Sequence, residues 1–527
     1  MDNKIQEKKV TGYAVGHNRK KYNIASLVIL GIILSVQVVI FFNEIILSLK
    51  SYKPVRGMSG SSWVGFSNFS NIFRSDLAFS RILQNTIVFN LLFCIIVFLI
   101  ALIIGYIVLA LPKGGILRGI LAILCVFPLF LPAEVYAGWF INLLGSGPFM
   151  NPSAITFIHP LLSAIKYAGI PIMLIYILDE IHEEKDPSLS LKVSGLFSIV
   201  SLAFIANSCF SLTRAIYNPS TYESLDMLDT YMYRKGFMQM DISQNSALGV
   251  IQTLITLLSF AVLFIPVKHL FSRTFKKSKI KIKPENIAKK SISSIIAIVI
   301  FTIIYFLPYW ANGQSFDMNT AKPPIASPII YYLLLSLISA LIASALAAII
   351  GKSFISSSKK VVIAAVVLLS LMTVLTAKPI NFYQYLMVRK MGFINTGFAI
   401  ILVTCFSSAA VWAMACILRM EGDISPKSHL TALAGVFLIE SALIYCNSTP
   451  PLIYFTNIKL SPLLILKGVS SGMQQPTALQ STTAGLNNAV GLYGFIVSLP
   501  PLLIFAAANI ILTKKHLMSV ISGGMKS

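Results

Sequence analysis

Twelve apolar runs alternate with short polar stretches along the chain, and each is long enough, or nearly so, to cross a hydrocarbon core of ~30 Å as a helix. The first six are Ile24 to Leu49, Thr86 to Leu111, Leu117 to Asn142, Leu161 to Leu178, Val193 to Leu212 and Ser246 to Pro266. The second six are Ile292 to Leu307, Ile329 to Gly351, Val361 to Thr376, Gly397 to Leu418, Leu430 to Cys446 and Asn487 to Leu512. Between the two sets, Lys268 to Lys290 carries nine lysines and arginines and one acid, Glu285. Short basic loops are retained on the cytoplasmic side, so this stretch is expected there. The pattern predicts an all-α polytopic membrane protein of about twelve transmembrane helices. Its organisation would be a six-helix module over residues 1–267, a basic cytoplasmic linker over 268–290 and a second module over 291–527.

Composition strengthens the membrane reading. Hydrophobic residues make up 56% of 527 and charged residues 12%, far from a soluble globular protein. A net charge of +23 raises the question of nucleic acid, but most basic residues fall in loops assigned to one face. Orientation and contact with anionic lipid account for them, with no nucleic-acid partner. The basic leader (Lys4, Lys8, Lys9, Arg19, Lys20, Lys21) precedes a first run too long for a signal-peptide core, which is expected to stay as an anchor with both termini inside.

Some runs carry breakers. Pro128 and Pro132 fall in the third run and Pro500 with Pro501 in the twelfth, where proline removes a backbone donor. Each is either a kinked packing helix or a discontinuous helix lining a path.

Candidate chemistry is sparse. The six cysteines lack CxxC spacing and the six histidines lack metal-ligand spacing, so no metal or cofactor is expected. GxxxxGK[ST] and HExxH are absent, which argues against an enzyme, and any ATP hydrolysis would belong to a separate subunit. Glu44, Glu134 and Glu440 lie in or near apolar runs, where a carboxylate is costly and should face the bundle interior. Glu134 with Tyr136, Trp139 and Asn142 offers carboxylate, rings and amide to a polyhydroxylated ligand. The alternative is that Glu134 serves backbone groups freed by the prolines while the rings join an interfacial belt. Glu440 is a further substrate-path candidate, or pairs with a hydroxyl or amide across a helix interface.

Several segments resemble the membrane subunits (permeases) of binding-protein-dependent ABC importers of the oligosaccharide and polysaccharide type. The first outer loop does so through Trp63-Val64-Gly65-Phe66, Asn68-Phe69 and Asn85-Thr86. The third run is similar through Pro128, Tyr136-Ala137-Gly138, Asn142-Leu143-Leu144 and Gly147. Tyr217 to Tyr222 and Asp229 to Gly236 extend the likeness over most of the first 270 residues. The second module resembles the companion permease through Asn381 to Leu386, Gly392 to Thr396 and a tail ending in Ser527. The resemblance implies a fused permease pair in a bacterial plasma membrane, a carbohydrate-like solute, an extracytoplasmic solute-binding protein and ABC ATPase subunits. The chain departs from the family where ATP is coupled. The family's E-A-A-x3-G loops are missing at Asp179 to Lys192 and Arg419 to His429, both of which are short. Asp179, Glu180, Glu183 and Glu184 are then either contacts for an ATPase docked in a non-standard way or a solvated loop. The corresponding alternative function is a permease-like receptor, sensor or assembly partner without ATPase coupling.

Overall fold

The computed structural model describes residues 13–74, 76–181, 186–274, 287–311, 326–355, 358–421, 426–473 and 480–512. Lys4, Lys8, Lys9, Glu183, Glu184, Glu285, Ser527 and positions 275–286 of the basic linker lie outside them. At both ends that linker is continuous with helices, Ile242–Thr274 before it and Ile287–Ala311 after it.

Among the described residues, eight helices are long and apolar enough to cross a membrane, or up to ten if each of two bent pairs is one span. The bent pairs are the third and tenth predicted runs. Ile116–Phe130 meets Ala133–Leu144 at 110°, and Gly397–Thr404 meets Ser408–Ala415 at 44°. The fifth and ninth predicted runs correspond to the shorter helices Leu189–Leu202 and Lys359–Leu375. Outward positions such as Leu258, Val262 and Ile265 on Ile242–Thr274 are exposed, as lipid-facing residues are. The chain is therefore a multi-pass, mainly helical membrane protein.

The all-α expectation is consistent with this architecture; the one sheet among the described residues is a short antiparallel ribbon of Lys50–Lys53 and Ser61–Trp63, pairing Lys50 with Trp63. One sequence expectation is corrected: Pro500 and Pro501 do not break the twelfth run, since helix Gln480–Ile511 passes through both. The neighbouring turns hold it: Leu502 is buried, and Phe505 stacks on Phe130 with ring centroids 4.5 Å apart.

Elements from the two halves of the chain interleave. Tyr13–Ser48 packs on Lys359–Leu375, Ile287–Ala311 on Ile116–Val126, and Gln480–Ile511 on Ala133–Leu144. Close approach requires small residues. A Cβ on Gly169 would stand 2.1 Å from the Cys125 carbonyl oxygen, so helix Pro152–Ile181 can lie against Ile116–Val126 only with glycine there.

The short segments at Asp179 to Lys192 and Arg419 to His429 have a clear geometric form. Helix Pro152–Ile181 is followed by Leu189–Leu202, and Ser408–Glu421 by Pro426–Cys446. Only positions 182–188 and 422–425 lie between them, less than two turns of helix in either place.

Candidate functional site

The 110° bend follows from Pro128 and Pro132, with a single 3₁₀ turn, Phe127–Phe130, between the two helices. Carbonyls freed by such a break need donors. Lys166, buried on helix Pro152–Ile181, supplies them: its Nζ donates to Pro128 O at 3.0 Å and Leu131 O at 2.5 Å. Its ammonium also lies 4.9 Å from the centre of the Tyr136 ring. A lysine thus serves the carbonyls at the bend.

Glu134 begins the second arm of the bend and is 5% exposed. Its Oε2 has no hydrogen-bond partner among the described residues, and Lys467, Ser448 and Lys166 are its polar neighbours. Tyr136 donates to Leu162 O at 2.8 Å, and Trp139 Nε1 donates to Tyr305 O at 3.0 Å. Asn142 Nδ2 donates to Gly138 O at 3.1 Å. These polar tips are bound to backbone.

A polar hollow lies elsewhere, between the halves. A cavity of about 540 Å³ is walled by Gln37, Tyr167, the 208–211 segment, the 375–381 segment, the 402–409 bend and Glu440 with its neighbours on Pro426–Cys446. Glu134, Tyr136, Trp139 and Asn142 do not line it; Glu440 does. Glu440 Oε1 accepts from Ser407 Oγ at 2.9 Å, and Ser407 Oγ in turn accepts from Ala410 N at 3.1 Å. The carboxylate thereby fixes the residue that caps the second arm of the bend.

Lys378 also faces this cavity and makes a buried ion pair with Glu44, near the end of the first span. Gly249 makes room for that carboxylate, since a Cβ there would lie 2.5 Å from Glu44 Oε1. Asn207 Nδ2 donates to Ala377 O at 3.1 Å, a further bond between the halves. The charges on the wall are thus already engaged. The side-chain amides of Gln37 and Gln384 make no hydrogen bond among the described residues and remain for a solute.

Between Leu189–Leu202 and Phe210–Ile216 the chain leaves the helix, and side chains again serve its backbone. Asn90 Nδ2 donates to Ile205 O and Asn207 O, each at 2.9 Å, and Gln252 Nε2 donates to Ala206 O at 3.0 Å. Asp229, outside the spans, accepts from Ser208 N at 2.6 Å, Ser208 Oγ at 2.8 Å and Gln252 Nε2 at 2.6 Å. Burial pushes the Asp229 carboxyl up to about 6, against the pull of the hydrogen bonds from Ser208 and Gln252. A raised carboxyl favours the protonated fold, so its contribution to stability is complete below about pH 4 and is lost as pH rises through about 6. Asp229→Asn is expected to flatten the pH dependence of the unfolding midpoint between about pH 4 and pH 7. A slope unchanged from that of the parent in detergent melts would contradict this.

At the other end of the bent helix, Arg118 is fully buried and binds two of the acids considered for partner contact. Its Nη2 reaches Asp179 Oδ2 at 2.6 Å and its Nη1 reaches Glu180 Oε1 at 3.1 Å. Lys113 lies 3.4 Å from Asp179, and Gly114 N donates to Glu180 Oε1 at 2.8 Å. With side chains 3% and 5% exposed, Asp179 and Glu180 bind internally.

The sequence reading passed over three cations, Lys166, Lys378 and Arg118. Their signal was available, because a lysine or arginine inside or bordering an apolar run carries the same cost as an acid.

No family model and no curated protein matches the chain. Among solved structures, it is similar to a chain of the crystal structure of a bacterial alginate ABC transporter in complex with an alginate pentasaccharide-bound periplasmic protein. The likeness covers 41% of this chain and 85% of that chain at 20% identity, with a TM-score of 0.34. At that score, the functional reading rests on the chain's own residues.

Proposed function

We propose that this chain is the transmembrane permease of an ABC-type importer for a carbohydrate or related polyhydroxylated solute. Two six-helix halves in one polypeptide would give twelve crossings of a bacterial plasma membrane, with both termini and the basic linker cytoplasmic. The observation that carries the reading is the cavity between the halves. Its wall combines Gln37 and Gln384 amides without internal partners with hydroxyls at Ser208, Ser211, Thr376 and Thr404 and rings at Tyr167 and Phe406. Because Lys378 and Glu440 are already engaged, this wall suits an uncharged solute that offers hydroxyls and CH faces. A solute-binding protein would deliver the solute from outside, and hydrolysis of ATP would fall to separate subunits. Those subunits would dock through surfaces other than paired coupling helices, such as the leader or the basic linker.

The short connections at 182–188 and 422–425 favour a second reading, a receptor or sensor with a permease-like fold and no ATPase. Uptake by proteoliposomes separates the two, since only the first requires solute to accumulate.

For binding itself, the full chain in nanodiscs is titrated with maltotriose, cellotriose and raffinose. At least one is expected to bind, and Gln384→Ala to weaken it about tenfold, as loss of one or two hydrogen bonds should, while the unfolding midpoint stays put. Failure of all three to bind, or an affinity indifferent to Gln384→Ala and Gln37→Ala, would remove the cavity from the reading.

A further inference from the structure

A second hollow, of about 530 Å³, sits at the N-terminal end of helix Leu77–Ala110, lined by Arg81, Arg234, Tyr217, Tyr222, Asn218 and Pro219. Unlike the central cavity, it carries two guanidiniums, and none of its described lining residues is an acid, Glu223 reaching Arg81 from outside the lining. Asn218 is spent internally, donating to Phe149 O at 2.9 Å and accepting from Ser220 N at 3.0 Å and Thr221 N at 3.2 Å. The ligand-facing chemistry is therefore arginine and tyrosine. The rings of Tyr217 and Tyr222 stand 6.5 Å apart and tilted by 60°, giving two apolar faces.

The two arginines are held differently. Arg234 is fixed from behind by Asp226, which is fully buried, and its Nη1 donates to Tyr217 Oη at 3.1 Å. Arg81 Nη1 is held at 2.9 Å by Glu223, whose side chain is 58% exposed, and Glu223 also accepts from Tyr222 Oη at 3.0 Å. Arg81 Nε is buried and has no hydrogen-bond partner among the described residues. Arg214 adds charge nearby, 5.5 Å from the Tyr217 ring centre and without an ion pair among the described residues. Asp226 cannot leave, whereas Glu223 can turn into solvent. A free carboxylate entering beside the rings would repeat the contacts that Glu223 makes to Arg81 and Tyr222.

We propose that this hollow binds a carboxylate-bearing saccharide, with its acid group taken by Arg81 and its ring lying against the exposed faces of Tyr217 and Tyr222. Glu223 is the resident carboxylate that the incoming one displaces. A neutral saccharide has no means of displacing Glu223, so acidity is the discriminating property. The site is separate from the central cavity and does not depend on that cavity carrying solute.

Isothermal titration of the full chain in nanodiscs with digalacturonate tests the proposal, with its dimethyl ester as an uncharged match. Digalacturonate should bind, and the ester and Arg81→Gln should each weaken binding about tenfold or more, the scale of a lost charge-assisted pair. Glu223→Ala should tighten binding severalfold, because the internal competitor is gone, and it does not depend on Arg81→Gln folding well. Gln384→Ala, in the central cavity, should leave digalacturonate affinity unchanged. No binding by the parent and by Glu223→Ala, equal affinity for the ester, or Glu223→Ala binding no better than the parent would each overturn the assignment. Loss of digalacturonate in Gln384→Ala would overturn it too, by placing the acid in the central cavity.

Discussion

Arg118→Ala is expected to produce the largest loss of stability of any single replacement considered for this chain, about 3 to 5 kcal/mol by comparison with broken buried ion pairs. The guanidinium is fully buried between Asp179 and Glu180, which are themselves almost inaccessible to water. Removing it leaves two carboxylates facing each other, with only Lys113 and the Gly114 amide to answer them. Arg118→Lys should recover little, because one ammonium cannot reproduce two parallel guanidinium contacts. A triple variant, Arg118→Met with Asp179→Asn and Glu180→Gln, should recover more than half of the loss, since the penalty comes from uncompensated charge. Unfolding midpoints in mild detergent provide the comparison. If Arg118→Ala melts with the parent, the cluster is not structural and its acids are available to partners.

Lys378→Met should come close behind, again at about 3 to 5 kcal/mol, because it strands Glu44 inside the bundle. Glu44 and Lys378 are 334 residues apart, so the pair ties the first span to the segment entering helix Phe382–Lys390. The Glu44→Gln/Lys378→Met double variant should be more stable than Lys378→Met alone, and the cycle of four proteins gives the coupling energy directly. Additive effects in that cycle would mean that the pair contributes no more than its separate packing.

Much of the helical architecture was legible in the sequence because a hydrocarbon solvent demands long, unbroken apolar helices. Most of the apolar runs fall on helix, although two are bent, the ninth is short and the fifth leaves the helix after Leu202. Prolines were harder to read. Pro128 and Pro132 bend the chain by 110°, whereas Pro160, Pro171, Pro266, Pro308, Pro500 and Pro501 lie inside continuous helices. What distinguishes the first pair is tertiary, namely a lysine on another helix that donates to the freed carbonyls. The Lys50–Trp63 ribbon was missed because a four-residue strand against a three-residue strand leaves almost no period-two pattern.

The site was less legible still. The carboxylates in apolar runs stood out, and Glu440 does line the central cavity. Glu134, Tyr136, Trp139 and Asn142 were grouped by adjacency along one helix, yet the cavity forms where segments near 37, 208, 378, 405 and 440 converge. No local spacing encodes that convergence. Asp179 and Glu180 looked like a loop's surface charge, and their partner Arg118 lies 61 and 62 positions earlier in the chain.

The lysine at the bend has one further consequence. Elsewhere, a pair of exposed carbonyls at a helix break is a natural seat for a dissolved sodium or potassium ion. Here the positive charge is covalently attached, as Lys166 Nζ resting on Pro128 O and Leu131 O. The shape of this break is therefore expected not to follow the sodium or potassium concentration of the medium, because the charge that holds it is part of the chain.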